Sequence, residues 1–132
     1  MAQPTLYFDR STGRSLPDAL KLLKLQVEHQ SDGHFSADAP DDEWLAEVGR
    51  RGWYVFTHDA KFHRRGFEHE MAAIKQYEVG CFVLWGGDAT RWEKMRCFAK
   101  AYDRIIEVIE TEDRPFIYQI DKGGRLTKVK IP

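Results

Sequence analysis

"GCFVLW", Gly80 to Trp85, offers no polar side chain anywhere along its length. A strand with one face in water alternates apolar and polar residues, whereas a strand covered on both faces reads as one apolar run. The stretch therefore predicts a central strand of a parallel sheet. On its N-terminal side, "FEHEMAAIKQY" (67–77) predicts a helix and "WYVF" (53–56) another strand. Before these, "DDEWLAEVGRRG" (41–52) opens with acids and closes with Arg50, Arg51 and Gly52. That charge order suits a helix dipole, and Gly52 suits a C-terminal cap. "SDGHFSADAPD" (31–41) has loop composition. "TLYF" (5–8) and "QVEHQ" (26–30) are short strand candidates. Between them Ser15 is a candidate N-cap, Pro17 sits in the first turn, and Leu16, Ala19, Leu20, Leu23 and Leu25 follow at roughly helical spacing. On the C-terminal side, a long helix is expected from Thr90. Its apolar stripe would be Trp92, Met95, Phe98, Ala99, Tyr102, Ile105, Ile106 and Ile109. "FIYQI" and "LTKVKI" flank "DKGGR" and predict a terminal β-hairpin.

Strands alternating with helices imply an α/β layered domain with a mostly parallel central sheet. Right-handed crossovers would bring every strand's carboxyl end to one edge, where ligands of such sheets bind. The 132 residues fit a single domain, residues 1–132. A 42% hydrophobic share places the chain among globular proteins and outside the disordered class. With a net charge of -1, no global field draws it to nucleic acid or membrane, so any polyanion site must be a local cluster. Cys81 and Cys97 form no CxxC pair, which suits a reducing compartment. "MAQPTLYFDR" carries no long apolar stretch and no run reaches bilayer-spanning length, so the expectation is a cytoplasmic protein without signal peptide or membrane contact.

Three acids stand at equivalent topological positions. Asp9 ends the first strand, Asp59 follows the third by way of Thr57 and His58, and Asp41 and Asp42 open the helix after the second. Gathered carboxylates repel one another and lose hydration, which a bound cation offsets. An all-oxygen set suits Mg²⁺ or Mn²⁺, which can activate water and stabilise charge on a phosphate. Each acid also has a plainer use. Asp41 can cap its helix, Asp9 can open a turn with Ser11, Thr12 and Gly13, and Asp59 can cap the next segment. The basic residues Arg10, Arg14, Lys61, Arg64 and Arg65 near the same edge are candidate phosphate contacts. His58, His63 and His69 match no zinc spacing and read as surface histidines, while His29 and His34 have no evident partners. Trp44 and Trp53 read as core residues.

"LYFDRSTGRSLPDAL" (6–20), "DDEWLAEVGRRGW" (41–53) and "VFTHDAKF" (55–62), in this order, resemble the PIN-like domains of the small bacterial VapC-type toxins. The resemblance covers Leu6 to Phe62 and implies a three-layer PIN-like fold. The terminal hairpin lies outside that compact pattern, as an edge or interface. It further implies a Mg²⁺- or Mn²⁺-dependent endoribonuclease acting on RNA, the toxin of a pair with a cognate antitoxin. Asp9 would match the first metal-binding acid, and Asp41 the acid opening the helix, with Asp42 a close rival. Asp59 would match the T-x-D acid, supported by Thr57. Where relatives often carry a further acid, this chain has Lys61, which could contact a phosphate; Asp88 is a candidate substitute. A homodimer through the apolar stripe or the hairpin is compatible.

Two other readings compete. A receiver-like signalling domain would use Asp59 as phosphoacceptor with Thr90 and Lys122, yet Arg10 stands where an acid pair is expected. A non-catalytic PIN-like binding protein is the reading that Lys61 favours.

Overall fold

The computed structural model describes residues 3–33, 35, 39–60 and 68–132. Strands β1 (Leu6–Phe8), β2 (Val27–His29), β3 (Tyr54–Thr57), β4 (Gly80–Leu84), β5 (Phe116–Ile120) and β6 (Leu126–Val129) form one sheet in the order β2-β1-β3-β4-β5-β6. The first five are parallel, and β6 returns antiparallel to β5 as the terminal hairpin. Helices α1 (Ser15–Leu22), α2 (Asp41–Arg51), α3 (Glu68–Gln76) and α4 (Arg91–Thr111) cover it. The α/β class, the mostly parallel sheet and the hairpin are those the sequence predicts.

β4 is buried at all five positions. Its side chains alternate, as a pleated strand requires. Phe82 and Leu84 join Phe8, Phe56, Phe98 and Ile105 in one core; Cys81 and Val83 join Tyr7, Trp44, Val55 and Ile74 in the other. Register places Phe8 beside Phe56, Phe56 beside Phe82 and Phe82 beside Tyr118. Their rings stack across the four strands with centroids 5.0, 4.9 and 6.2 Å apart. Gly80 permits a second such contact. The rings of Tyr54 and Phe116, on the flanking strands, meet over it with centroids 6.1 Å apart.

Core membership puts α1 and α4 on one face and α2 and α3 on the other. α1 links β1 to β2, stepping one way along the sheet; α2 and α3 step the other way on the opposite face, so these three crossovers share one hand. α4 steps the same way as α2 and α3 yet lies on the face of α1. The β4–α4–β5 crossover therefore has the opposite hand, a departure from the uniform crossovers expected. The sheet explains it: the aromatic ladder points to the α1 face, and Phe98 of α4 packs on Phe8 and Phe56. The other face over β3 and β4 is already taken by α2 and α3. As a result α4 begins next to the β1–α1 loop.

Several local expectations shift. The buried line of α4 is Cys97, Phe98, Ala101 and Ile105, while Trp92 and Ala99 face solvent. Thr90 and Glu93 form a capping box at its start. α1 starts at Ser15 itself and stops at Leu22, leaving Leu23 exposed. Gly52 caps α2 in the left-handed region, as expected. Trp44 is buried, whereas Trp53 is half-buried before β3.

Gly80→Ala sets two effects against each other. Alanine restrains the unfolded chain, which favours folding by roughly 0.5–1 kcal/mol. Its Cβ, however, would lie 2.7 Å from both Phe116 Cζ and Tyr54 Cδ1. Overpacking of that kind costs about 1–3 kcal/mol. Thermal denaturation should show the variant to be less stable; an unchanged or higher midpoint would mean the rings are not in this contact.

Candidate functional site

The strand order reverses between β1 and β3, because the chain leaves β1 on one face and β3 on the other. The crevice at the carboxyl ends of these two strands is where open α/β sheets bind ligands. Asp9 follows β1 directly there. Only 5% exposed, it caps a 3-10 turn, Arg10–Thr12. Its Oδ1 accepts the Ser11 N–H at 3.0 Å and the Ser11 hydroxyl at 2.5 Å. Its Oδ2 accepts the Thr57 hydroxyl at 2.7 Å. Each hydroxyl has one hydrogen, and both are directed at Asp9. Their oxygens then serve the chain leaving β3: Ser11 Oγ accepts the His58 N–H at 3.0 Å, and Thr57 Oγ1 accepts the Asp59 N–H at 2.9 Å. Asp9 thus opens a turn with Ser11, and the same contacts organise the β3 exit.

Burial raises the Asp9 carboxyl to about 6. The Ser11 and Thr57 hydrogen bonds oppose this shift, and the charge of Asp59 adds to it. The two acids are therefore close enough to repel. His58 is not the surface histidine expected. It is half-buried, and its Nδ1 meets the Leu84 carbonyl at 3.1 Å. A carbonyl only accepts, so Nδ1 carries the hydrogen and Nε2 the lone pair. That Nε2 is buried without a hydrogen-bond partner among the described residues. Burial lowers the imidazole's proton affinity against the opposing Leu84 hydrogen bond, and the charge of Lys94 adds to the lowering. His29 also departs from expectation: it is buried, and its Nδ1 accepts the Ser31 N–H at 3.0 Å.

The remaining acids are placed differently. Asp41 is the first residue of α2, after the cap position of Pro40, and accepts the Trp44 indole N–H at 3.0 Å. Asp42 is exposed, with its carboxylate 3.4 Å from His69 Nε2. Asp88 is exposed in the turn after β4. Among the described residues, no three of His, Cys, Asp and Glu gather closely enough to hold a metal ion by themselves. Asp9 and Asp59 are neighbours, and Asp41 and Asp42 do not join them in such a group.

Arg14 is drawn into ion pairs with Asp18 at 2.9 Å and Asp32 at 2.8 Å. These bonds, Asp32 first, hold its guanidinium protonated more firmly than usual. Its charge is thus largely spent within the fold. Arg10 is exposed beside Asp9, and its N–H donates to Gln30 Oε1 at 3.1 Å. Lys61, Arg64 and Arg65, together with His34 and His63, lie outside the described residues. Sequence reasoning passed over Ser11, Arg91 and Lys94. Thr12, Gly13, Arg14, Arg91 and Lys94 line a cleft of about 230 Å³ between the β1–α1 loop and the start of α4. The T-x-x-E pattern of Thr90 and Glu93 marks that start in the sequence. Thr90 spends its hydroxyl on this cap, and Lys122 lies over the Trp85 ring at 5.5 Å.

A family profile described as PIN like domain matches residues 4–86, from ahead of β1 to past β4. The chain belongs to the PIN-like domain family. No curated protein and no solved structure matches it. PIN-like domains are commonly nucleases, and this membership leaves the receiver-like alternative without support. Among the described residues, no helix is long and apolar enough to cross a membrane.

PIN-like domains that cut RNA imply a divalent ion, and the donor chemistry at this edge fits one. Mg²⁺ is held by one or two carboxylates and keeps several waters, so Asp9 and Asp59 are the residues that would hold it. Without a cation, Asp9 is costly to ionise. Its folded value of about 6 lies above the ordinary 3.8, so the native state binds more protons between these values. The contribution of Asp9 to stability is then greatest below about pH 4 and is lost as pH rises through 6. Asp9→Asn removes this loss. In EDTA the variant should gain about 1–3 kcal/mol on wild type between pH 4 and pH 8. Thermal melts across that range test it; parallel curves would show that Asp9 is not destabilised by its charge.

Proposed function

We propose that this PIN-like protein is a metal-dependent endoribonuclease that hydrolyses RNA phosphodiesters, the toxin of a toxin–antitoxin pair. The observation that carries the reading is the Asp9–Ser11–Thr57–Asp59 network at the crevice between β1 and β3. The Asp9 carboxylate there is fixed by neutral donors, the Asp59 backbone is tied to the same Thr57 hydroxyl, and the charge of Asp59 raises the proton affinity of Asp9. Mg²⁺ or Mn²⁺ held by them would stabilise charge on the scissile phosphate and lower the pKa of a bound water. The chain's own groups do the positioning. Ser11 and Thr57 remove the rotational freedom of the Asp9 carboxylate. At pH 7 that carboxylate is mostly ionised, ready for a cation. Arg10, Arg91 and Lys94 place positive charge on the rim, where an RNA backbone would lie.

RNA cleavage by the purified protein in Mn²⁺ is the direct test. Wild type should cut; EDTA should stop it; Asp9→Asn and Asp59→Asn should each lose at least about 100-fold, the scale of removing one preorganised electrostatic group. Equal cleavage by all three proteins would remove the assignment. The toxin role predicts growth arrest on expression of wild type and none with Asp9→Asn.

A second reading, a non-catalytic PIN-like binding protein, is favoured by the lack of a three-ligand group among the described residues. Isothermal titration with Mn²⁺ near neutral pH separates the two. Binding in wild type that Asp9→Asn abolishes is expected from the nuclease; no heat in either protein selects the binding role.

A further inference from the structure

The cleft beside Asp9 leads toward an exposed aromatic ring that the nuclease reading does not use. Trp92, on the first turn of α4, is 66% exposed, whereas Trp44 is buried and Trp53 and Trp85 are partly covered. The Arg96 guanidinium stands 5.9 Å from the centre of its ring. Arg91 and Lys94 flank it in sequence and line the cleft. Unlike Arg14, neither forms an ion pair among the described residues. Cations in the first turn oppose the helix dipole and cost stability. Glu93, the acid nearest in sequence, is occupied with the Thr90 cap. Among the described residues Arg91 and Lys94 thus have no paired carboxylate, and an aromatic ring is exposed next to them.

We propose that the start of α4 is a binding surface for single-stranded RNA, with Trp92 stacking on an unpaired base and Arg91 and Lys94 holding backbone phosphates. Charge complementarity selects a polyanion, and the exposed ring selects one with free base faces. A duplex keeps its bases stacked internally and offers the ring nothing. An acidic peptide would meet the cations but leave the ring unused. The surface is continuous with the candidate site: the cleft wall formed by Thr12 and Gly13 is the end of the turn that Asp9 caps. Trp92 lies beyond residues 4–86, so nothing in the family match specifies it. The inference rests on the nuclease reading for its substrate class, and it can fail separately.

Binding is measured with the full chain in EDTA, where no metal-dependent cleavage occurs, by fluorescence anisotropy of a labelled unpaired oligoribonucleotide and of its duplex. Trp92→Ala should weaken single-strand binding about 10-fold or more, and Trp92→Phe should retain most of it. Duplex binding should be the same for all three. Arg91→Ala and Lys94→Ala should each flatten the salt dependence of single-strand binding by about 0.7 in log–log slope. All four substitutions are at partly or fully exposed positions, and melting midpoints that are not lowered confirm the fold. Single-strand binding unaffected by these substitutions, or absent in wild type, overturns the proposal. So does polyglutamate that displaces the RNA and itself depends on Trp92, which points to a protein partner. Cleavage in Mn²⁺ with normal binding by the α4 variants leaves the nuclease reading and removes this one. Trp92-dependent binding without cleavage does the reverse.

Discussion

The pairing of Phe8 with Phe56 is the contact on which the edge of this sheet depends. Each ring stacks on the next along the register Phe8–Phe56–Phe82–Tyr118. Such pairs contribute roughly 0.5–1.5 kcal/mol each beyond the area they bury. The larger effect is exclusion of alternatives. A slip of one residue would turn Phe8 to the opposite face and take it out of the ladder. With Phe8 held, the Asp9 N–H donates to the Phe56 carbonyl at 3.2 Å and the Asp9 carboxylate lies beside the Thr57 hydroxyl. The candidate site is the next pair of residues along a register set by apolar packing.

The same ladder recruits α4. Its rings point to the face that α1 covers in part, and α4 fills the rest with Cys97, Phe98, Ala101 and Ile105. This gives the β4–α4–β5 crossover its opposite hand and brings Arg91 and Lys94 against the β1–α1 loop. A chain whose net charge is only -1 can thereby concentrate cations at one edge. The placement of charge here follows from topology rather than from composition.

Much of this is legible in the sequence, because it follows from local pattern. The unbroken apolar run of "GCFVLW" reports burial on two faces, and Gly52 marks the end of α2. What escapes is pairing between distant elements. His58 reads as part of a basic loop, since nothing near it in sequence foretells the Leu84 carbonyl 26 residues away. Arg14 reads as a phosphate contact until Asp18 and Asp32 are seen around it. Asp41 and Asp42 share a topological position with Asp9 and Asp59, but position alone does not settle what a carboxylate faces. The Trp44 indole N–H bonds Asp41, and His69 lies beside Asp42. The stripe of α4 fails at Trp92 for a related reason: periodicity extends past the point where the sheet stops covering the helix.

Asp9 shows why a fold keeps an acid that burial disfavours. Its oxygens already take three hydrogen bonds from Ser11 and Thr57, and still the carboxyl is pushed up to about 6. A carboxylate so supplied with donors has little more to gain from hydrogen bonding. What it lacks is positive charge. Among the described residues, no lysine or arginine stands with the leading influences on its proton affinity, although Arg10, Arg91 and Lys94 lie near the crevice. The charge of Asp59, which does, has the wrong sign. Replacing Asp9 by a neutral isostere would relieve the fold, so its presence is not explained by stability. A proton or a cation at the Asp9–Asp59 pair would relieve it as well. Near neutral pH the proton is mostly gone, which leaves the pair suited to a positively charged partner.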